Sequence, residues 1–134
     1  MGALCDGRPA RRRGQSSAIK EIEDGIEQHA AVGSRLVRPY SLGLLAEACL
    51  RAGRLDRAHT ALDDAFATIA ETEERYWEPE LHRVRGLVHL AETPPRHALA
   101  ESGFHRALET ARAQGASSLE ARASASLDAL AKRD

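Results

Sequence analysis

The side chains best suited to chemistry in this sequence are its six histidines and their acidic neighbours. His82 and His89 are seven residues apart and can share one helix face, with Glu78 one turn before His82. Glu101 and His105 form a second pair at the spacing i, i+4. Zinc needs three or four ligand atoms converging at about 2 Å, and neither spacing guarantees that convergence. We therefore predict no metal site and expect histidines on the surface or along a groove.

Other catalytic arrangements are also not indicated. The serines between positions 117 and 126 lie in an alanine-rich helical context, without a neighbouring histidine or a Gly-x-Ser-x-Gly turn. The carboxylate pairs 63–64 and 73–74 are adjacent in sequence, so on a helix their side chains diverge by about 100°. The sequence predicts a protein that is not an enzyme and needs no cofactor.

Composition and charge narrow the class of protein. The chain has 134 residues, 43% apolar and only 4% aromatic, which fits one alanine- and leucine-rich helical domain. Its net charge of −1 argues against general binding to nucleic acid or anionic membranes. We find no apolar run approaching the ~18 residues of a membrane span and no signal peptide. Cys5 and Cys49 make no disulfide framework, and Cys49 is expected to be a buried thiol. These features predict a cytoplasmic protein.

Capping residues, prolines, glycines and apolar periodicity predict six helices. Short turns between them imply antiparallel neighbours. The first predicted helix begins at Ser16 or Ser17 and stops near Gly33, the second runs from Pro39 to Gly53, and the third begins with a cap at Asp56 and continues past Ile69. The fourth begins at Pro79 and ends before Thr93, the fifth runs from Arg96 to Gln114 with Gly115 as terminator, and the sixth spans Ser117 to about Ala131.

A stripe of small and apolar residues recurs about every forty residues, as 18/22/25 (Ala, Ile, Gly), 58/62/65 (Ala, Leu, Ala) and 100/104/107 (Ala, Phe, Ala). This period predicts an all-α fold: an antiparallel helix-pair solenoid of about two and a half repeats and six helices. Ala61 lies off the stripe and is expected to be exposed. Because the solenoid lacks polar caps, we expect its terminal helices to expose apolar surface and to support homo-oligomers.

The second and third stripes carry a resemblance to the tetratricopeptide repeat (TPR) family. That family has a small residue in its first helix, a glycine in the turn and an Ala-bulky-Ala pattern in its second helix. In this sequence the corresponding positions are the segment 45–46, Gly53 and the stripe 58/62/65. The next unit repeats the pattern with Gly86 and the stripe 100/104/107. Repeats of 40–42 residues are longer than the usual 34. The resemblance implies that the first helix of each pair lines a concave, partner-binding face.

A narrower resemblance comes from the segments 38–40, 44–48, 80–86, 104–109 and 113–120. Their order resembles the C-terminal TPR region of bacterial signalling proteins, in which an AAA-like ATPase module is joined to a class III adenylate cyclase or a DNA-binding domain. The chain has neither a phosphate-binding loop nor the cyclase metal-binding aspartates, so the resemblance implies a regulatory part without either activity.

The match implies a groove for a protein or peptide partner, formed by seven residues: Tyr40, Glu47, Arg51, Glu80, Arg83, Leu87 and Arg122. Alternatively, Glu47 and Arg83 simply form an ion pair between helices. Trp77 is expected to be a core anchor at a helix start. Residues 1–15 are predicted to be a disordered basic leader before the repeat domain of residues 16–131 and a tail of residues 132–134.

Three functions follow from these features. The first is a non-catalytic interaction scaffold that binds a peptide or partner domain. The second is a regulatory C-terminal part of a larger cyclase or ATPase-type transcriptional regulator. The third is a nucleic-acid-associated regulator that uses the arginines between Arg8 and Arg13.

Overall fold

The computed structural model describes residues 17–27 and 38–133, and the predicted leader and the stop at Gly33 lie outside these ranges. The described residues form six α-helices and no β-strand, which confirms the all-α class. The helices are α1 (residues 17–27), α2 (Arg38–Arg51), α3 (Leu55–Thr72), α4 (Glu78–Ala91), α5 (His97–Gln114) and α6 (Ser117–Arg133).

Local signals fix most of the helix ends. Gly53 and Gly115 adopt positive φ angles of 77° and 69°, and each lets the backbone hydrogen-bond back onto the last helical turn. The expected cap at Asp56 is wrong: Arg54 precedes the helix without a side-chain cap, and Asp56 lies in the first turn. The residue that precedes α3 is therefore Arg54, two positions before the expected cap, and its amide bonds to the Cys49 carbonyl. Helix α6 extends to Arg133, two residues past the predicted end.

Each helix from α2 to α6 packs against the next along the chain. In addition, α2 contacts α4 and α4 contacts α6, so these three alternate helices are direct neighbours. Helices α3 and α5 each lie against the two helices that flank them in sequence. The side chains that α2, α4 and α6 present away from α3 and α5 therefore share one face.

The apolar stripe forms the core in two of the three units. All six residues of the stripes 58/62/65 and 100/104/107 are fully buried. The first stripe is wrong, because Ala18 is exposed and α1 instead buries Ile19 and Ile26. The expectation for Ala61 is also wrong, since it is only 3% exposed. Helix α3 is covered by neighbours on more than one side, so its buried arc is wider than a single stripe.

Helices α4 and α5 approach each other most closely at two glycines. A Cβ atom at Gly86 would lie 2.6 Å from Cε1 of the fully buried Phe104 ring and 3.1 Å from the carbonyl oxygen of Ala100. A Cβ at Gly103 would lie 3.1 Å from the carbonyl oxygen of His82. The absence of side chains at these positions therefore sets the distance between the two helices.

The surface differs from the sequence-based expectation. Large apolar residues of α6 and of residues 17–27 are buried or half-buried, so the exposed apolar faces expected on the terminal helices do not occur in the described ranges. The large exposed apolar side chains are instead Tyr40, Leu44, Tyr76 and Leu99. Cys49 is fully buried, as predicted, and burial raises the pKa of its thiol. None of the described helices is both long and apolar enough to cross a bilayer.

Candidate functional site

The only tryptophan and both tyrosines of the chain lie together on one surface. The rings of Tyr40 and Trp77 have centroids 4.6 Å apart, and Tyr76 meets Trp77 edge-to-face at 4.9 Å. Tyr40 and Tyr76 are 40% and 52% exposed. Such pairs stabilise each other beyond the area that they bury, so the cluster is held in place while part of its surface remains in water.

Two helix starts position these rings. Tyr40 follows Pro39 in the first turn of α2. Proline is tolerated there because backbone N–H groups of the first turn have no hydrogen-bond partner within the helix. Trp77 immediately precedes α4, which has Pro79 in its first turn. The indole packs against an apolar cluster of Ala111, Ala116 and Leu119 from the α5–α6 corner. Trp77 is therefore half-buried: it acts as the predicted anchor and also contributes to the surface.

The aromatic cluster borders a hollow between α2, α4 and α6. Its volume is about 250 Å³, just below the roughly 300–1,000 Å³ typical of small-molecule and cofactor sites. Most of its lining is apolar, with carboxylates and one guanidinium at the rim. The lining residues are Pro39, Tyr40, Gly43, Leu44, Glu47, Trp77, Glu80, Leu81, Leu119 and Arg122. A hollow of this size suits one large apolar side chain.

The rim is fixed by two arginines that hold the same carboxylate. Arg83 donates to both oxygens of Glu80 at 2.9 and 2.7 Å, and Arg122 of α6 donates to the same oxygens at 3.2 and 2.9 Å. Burial alone would raise the pKa of Glu80, but the hydrogen bonds from the arginines outweigh it and hold that pKa below its ordinary value. Glu80 thus stays ionised and joins α4 to α6.

The predicted groove residues divide between two hollows. Tyr40, Glu47, Glu80 and Arg122 line the aromatic-edged hollow described above. Arg83 and Leu87 line a second hollow between α4, α5 and α6, and Arg122 borders both. Arg51 lies outside both, on the exposed surface.

The predicted ion pair between Glu47 and Arg83 does not form. Arg83 binds Glu80 within its own helix, and Glu47 lies 3.5 Å from Arg51, one turn further along α2. The carboxylate of Glu47 therefore stays at the rim of the first hollow, where it pairs with the exposed Arg51 and lies within electrostatic reach of Arg122.

The predicted groove did not include several residues of this surface, among them Leu44, Tyr76, Trp77 and Leu119. Leu44 is 39% exposed and lines the hollow. Its position was a usable signal, because Leu42, Leu45 and Cys49 already form the inward face of α2 and Leu44 falls outside it. The sequence could not identify Leu119 as part of this surface, because only the packing of α6 brings it to Trp77.

The histidines singled out by spacing do not act together. His82 is half-buried, with its Nε2 atom 3.9 Å from Glu78 and its ring against Phe66, and burial lowers its pKa. His89 instead contacts residues of other segments, described below. Glu101 and His105 are both exposed on α5. In the described part of the chain, the groove itself holds no group of three metal-ligating side chains.

Comparison with known proteins gives one informative similarity. An uncharacterized protein of Rhizobium meliloti (strain 1021) is 29% identical over 114 residues, which are 85% of this chain and 11% of that relative. The chain therefore spans only about 11% of the relative's length. No protein-family model matches the chain, and no solved structure matches it.

Proposed function

We propose that this chain is a TPR-like helical-repeat scaffold, without catalytic activity, that binds an extended peptide segment of a partner protein. The observation that carries the proposal is the hollow formed by α2, α4 and α6, around which the only tryptophan and both tyrosines gather. Tyrosine, tryptophan and arginine are enriched among residues that dominate binding energy at protein interfaces.

The packing of alternate helices supports the repeat arrangement in this proposal. Contacts of α4 with both α2 and α6 are what a stack of helix pairs requires, with the first helix of each pair on a common face. Both hollows open on that face. The partner-facing helices implied by the TPR resemblance are therefore the ones that line the hollows.

The lining indicates the chemistry of the ligand. An aromatic or branched aliphatic side chain would fill the hollow between Leu44, Trp77 and Leu119. The carboxylate of Glu47 offers an acceptor for a peptide amide, and the exposed half of Arg122 offers a donor for a peptide carbonyl or carboxylate. An extended segment with one large apolar residue and a neighbouring acidic residue fits this pattern.

The experiment is selection of peptides from a random library displayed on phage, with the purified chain as bait. Enriched peptides are then titrated against Leu44→Glu and, as a matched control, Leu99→Glu. Both leucines are similarly exposed, at 39% and 46%, but only Leu44 lies in the hollow. We expect Leu44→Glu to weaken binding at least about tenfold, the effect of losing a central contact, and Leu99→Glu to leave it unchanged. Failure to enrich any peptide, or equal loss in both variants, would contradict the proposal.

A second candidate function concerns the protein context. The relative is far longer than the segment that aligns with this chain, which favours a region within a large protein. The resemblance described above suggests that this protein is a cyclase- or ATPase-type regulator. An antibody against residues 38–133 would decide this on an immunoblot of the native source. A band several times larger than 134 residues would support the larger protein, whereas a band at that size would indicate a separate adaptor.

The remaining alternative, a nucleic-acid-binding arm between Arg8 and Arg13, lies outside the described residues and stays a prediction. Deleting residues 1–15 would abolish such binding and would leave peptide binding at the hollow intact. Affinity that falls steeply with salt would also favour the arm.

A further inference from the structure

On a different surface from the hollows, two histidines and a glutamate from separate segments converge on one point. His59 lies in the second turn of α3, His89 in the last turn of α4, and Glu92 directly after α4. His59 Nε2 is 2.8 Å and His89 Nδ1 is 3.1 Å from the same atom, Oε1 of Glu92. We propose that these three side chains form a site for a divalent transition-metal ion of the zinc type.

The distances fit such a site. In a tetrahedral zinc centre with bonds of about 2.0–2.1 Å, neighbouring ligand atoms are about 3.3 Å apart. The two separations from Glu92 Oε1 are within about half an ångström of that value. All three ligand atoms lie within 4.8 Å of one another. An ion would draw the three atoms from within 4.8 Å of one another toward the roughly 3.3 Å of a tetrahedral site.

The type of ligand selects the metal. Two imidazole nitrogens and one carboxylate oxygen are a common ligand set for zinc, which then keeps a fourth position for water or another ligand. Magnesium and calcium prefer sets made entirely of oxygen atoms. The three side chains are half-buried rather than fully exposed, so an ion can reach the site while part of its surroundings excludes water.

The hydrogen bonds of the three side chains also suit metal binding. His59 Nε2 and His89 Nδ1, the two nitrogens that would bind an ion, already face the same carboxylate oxygen of Glu92. A metal requires the lone pair of a neutral imidazole and an ionised carboxylate. The two histidine N–H groups that now face Oε1 would move to the other ring nitrogens when an ion binds, with no change in the net charge of either ring.

Arginines surround the site without occupying its ligand atoms. Arg96 forms an ion pair with Glu92, with its Nε atom 2.6 Å from Oε2, which leaves Oε1 for the ion and orients the carboxylate. Arg85 lies beside the site, with its Nη2 atom 3.4 Å from the carbonyl oxygen of His59, but its guanidinium binds Asp63 at 2.7 Å. Since His59 and His89 belong to consecutive helices, an ion at this site would tie α3 to α4.

The test is titration of the purified full chain with zinc sulfate, followed by calorimetry and by thermal unfolding. We expect one zinc ion per chain and a higher melting temperature, with no such rise from magnesium sulfate. His59→Gln and Glu92→Gln should each weaken zinc binding at least about tenfold. His105→Gln, which changes an exposed histidine on α5, should bind zinc as the unaltered chain does.

Cobalt provides a second readout that does not depend on stability. A Co²⁺ ion bound by two imidazoles and a carboxylate in a tetrahedral site gives strong visible absorption, which His59→Gln and Glu92→Gln should remove. The proposal is overturned if the unaltered chain binds no zinc, or if its affinity is the same in both site variants as in His105→Gln. None of these outcomes depends on peptide binding, because the two sites share no residue.

Discussion

Adding one methyl group at Gly86 tests the closest contact between two helices of the fold. In Gly86→Ala the new Cβ would lie 2.6 and 2.8 Å from two carbons of the Phe104 ring, distances that require the ring or the helix to move. The ring is fully buried, and the new Cβ would also lie 3.1 Å from the carbonyl oxygen of Ala100. Overpacking of this kind costs about 1–3 kcal/mol, and alanine regains up to about 1 kcal/mol through its higher helix propensity. We therefore expect a net loss of up to about 2 kcal/mol in the free energy of unfolding.

Gly25→Ala is the matched control, because Gly25 is also helical but a Cβ there meets nothing within 4 Å. It should retain the propensity gain and stabilise the chain by up to about 1 kcal/mol. The assay is urea denaturation followed by far-ultraviolet circular dichroism. In a Phe104→Leu background, where the ring is gone, Gly86→Ala should cost less than it does with Phe104 present. The reasoning fails if Gly86→Ala and Gly25→Ala change stability equally, or if the cost is the same in both backgrounds.

Three further predictions concern single sites. Because the pKa of Glu80 is lowered by folding, its ionised carboxylate stabilises the fold fully above the unfolded pKa of about 4.3, and this stabilisation is lost as the pH falls through the lower folded pKa. Glu80→Gln should therefore lower the free energy of unfolding by about 1.5–3 kcal/mol at pH 7 and flatten the acid side of a pH–stability curve measured by urea denaturation. An unchanged curve would refute this. Glu73 follows the last residue of α3 with a left-handed φ of 59°, a conformation that strains a residue with a side chain and suits glycine. Glu73→Gly should therefore raise stability by about 1 kcal/mol in thermal melts, and a lower melting temperature would show that this strain is absent. Ala58→Leu should cost about 1–3 kcal/mol in urea denaturation, while Ala67→Leu at an exposed position of the same helix should be nearly neutral; equal effects would refute the buried stripe.

The helices could be predicted because their ends are encoded locally. Pro39, Pro79, Gly53 and Gly115 each act through their own backbone geometry, so their effects are visible without a fold. The error at Asp56 has the same origin: a good capping residue was available, but the hydrogen bonds of the preceding turn started the helix earlier.

The candidate site could be predicted only in part. Six of the seven groove residues implied by the TPR resemblance line one hollow or the other, but the resemblance could not distinguish one hollow from two or place Arg51 outside both. Those details depend on how α6 packs against α4. In the same way, His59 and Glu92 are 33 residues apart and meet only because α3 and α4 pack together, so spacing along one helix pointed to the wrong partners for His89.

The central claim is that the hollow between α2, α4 and α6 is where a partner peptide binds, and Trp77 can report on it directly. It is the only tryptophan of the chain, and it lines the hollow. We would titrate a selected peptide into the protein and follow tryptophan fluorescence, using peptides that contain no tryptophan. The proposal predicts a saturable change in Trp77 emission in the unaltered chain and in Leu99→Glu, with a much weaker response in Leu44→Glu. Binding detected by calorimetry with no change in Trp77 emission, and with full affinity in Leu44→Glu, would contradict the claim and place the binding site elsewhere on the chain.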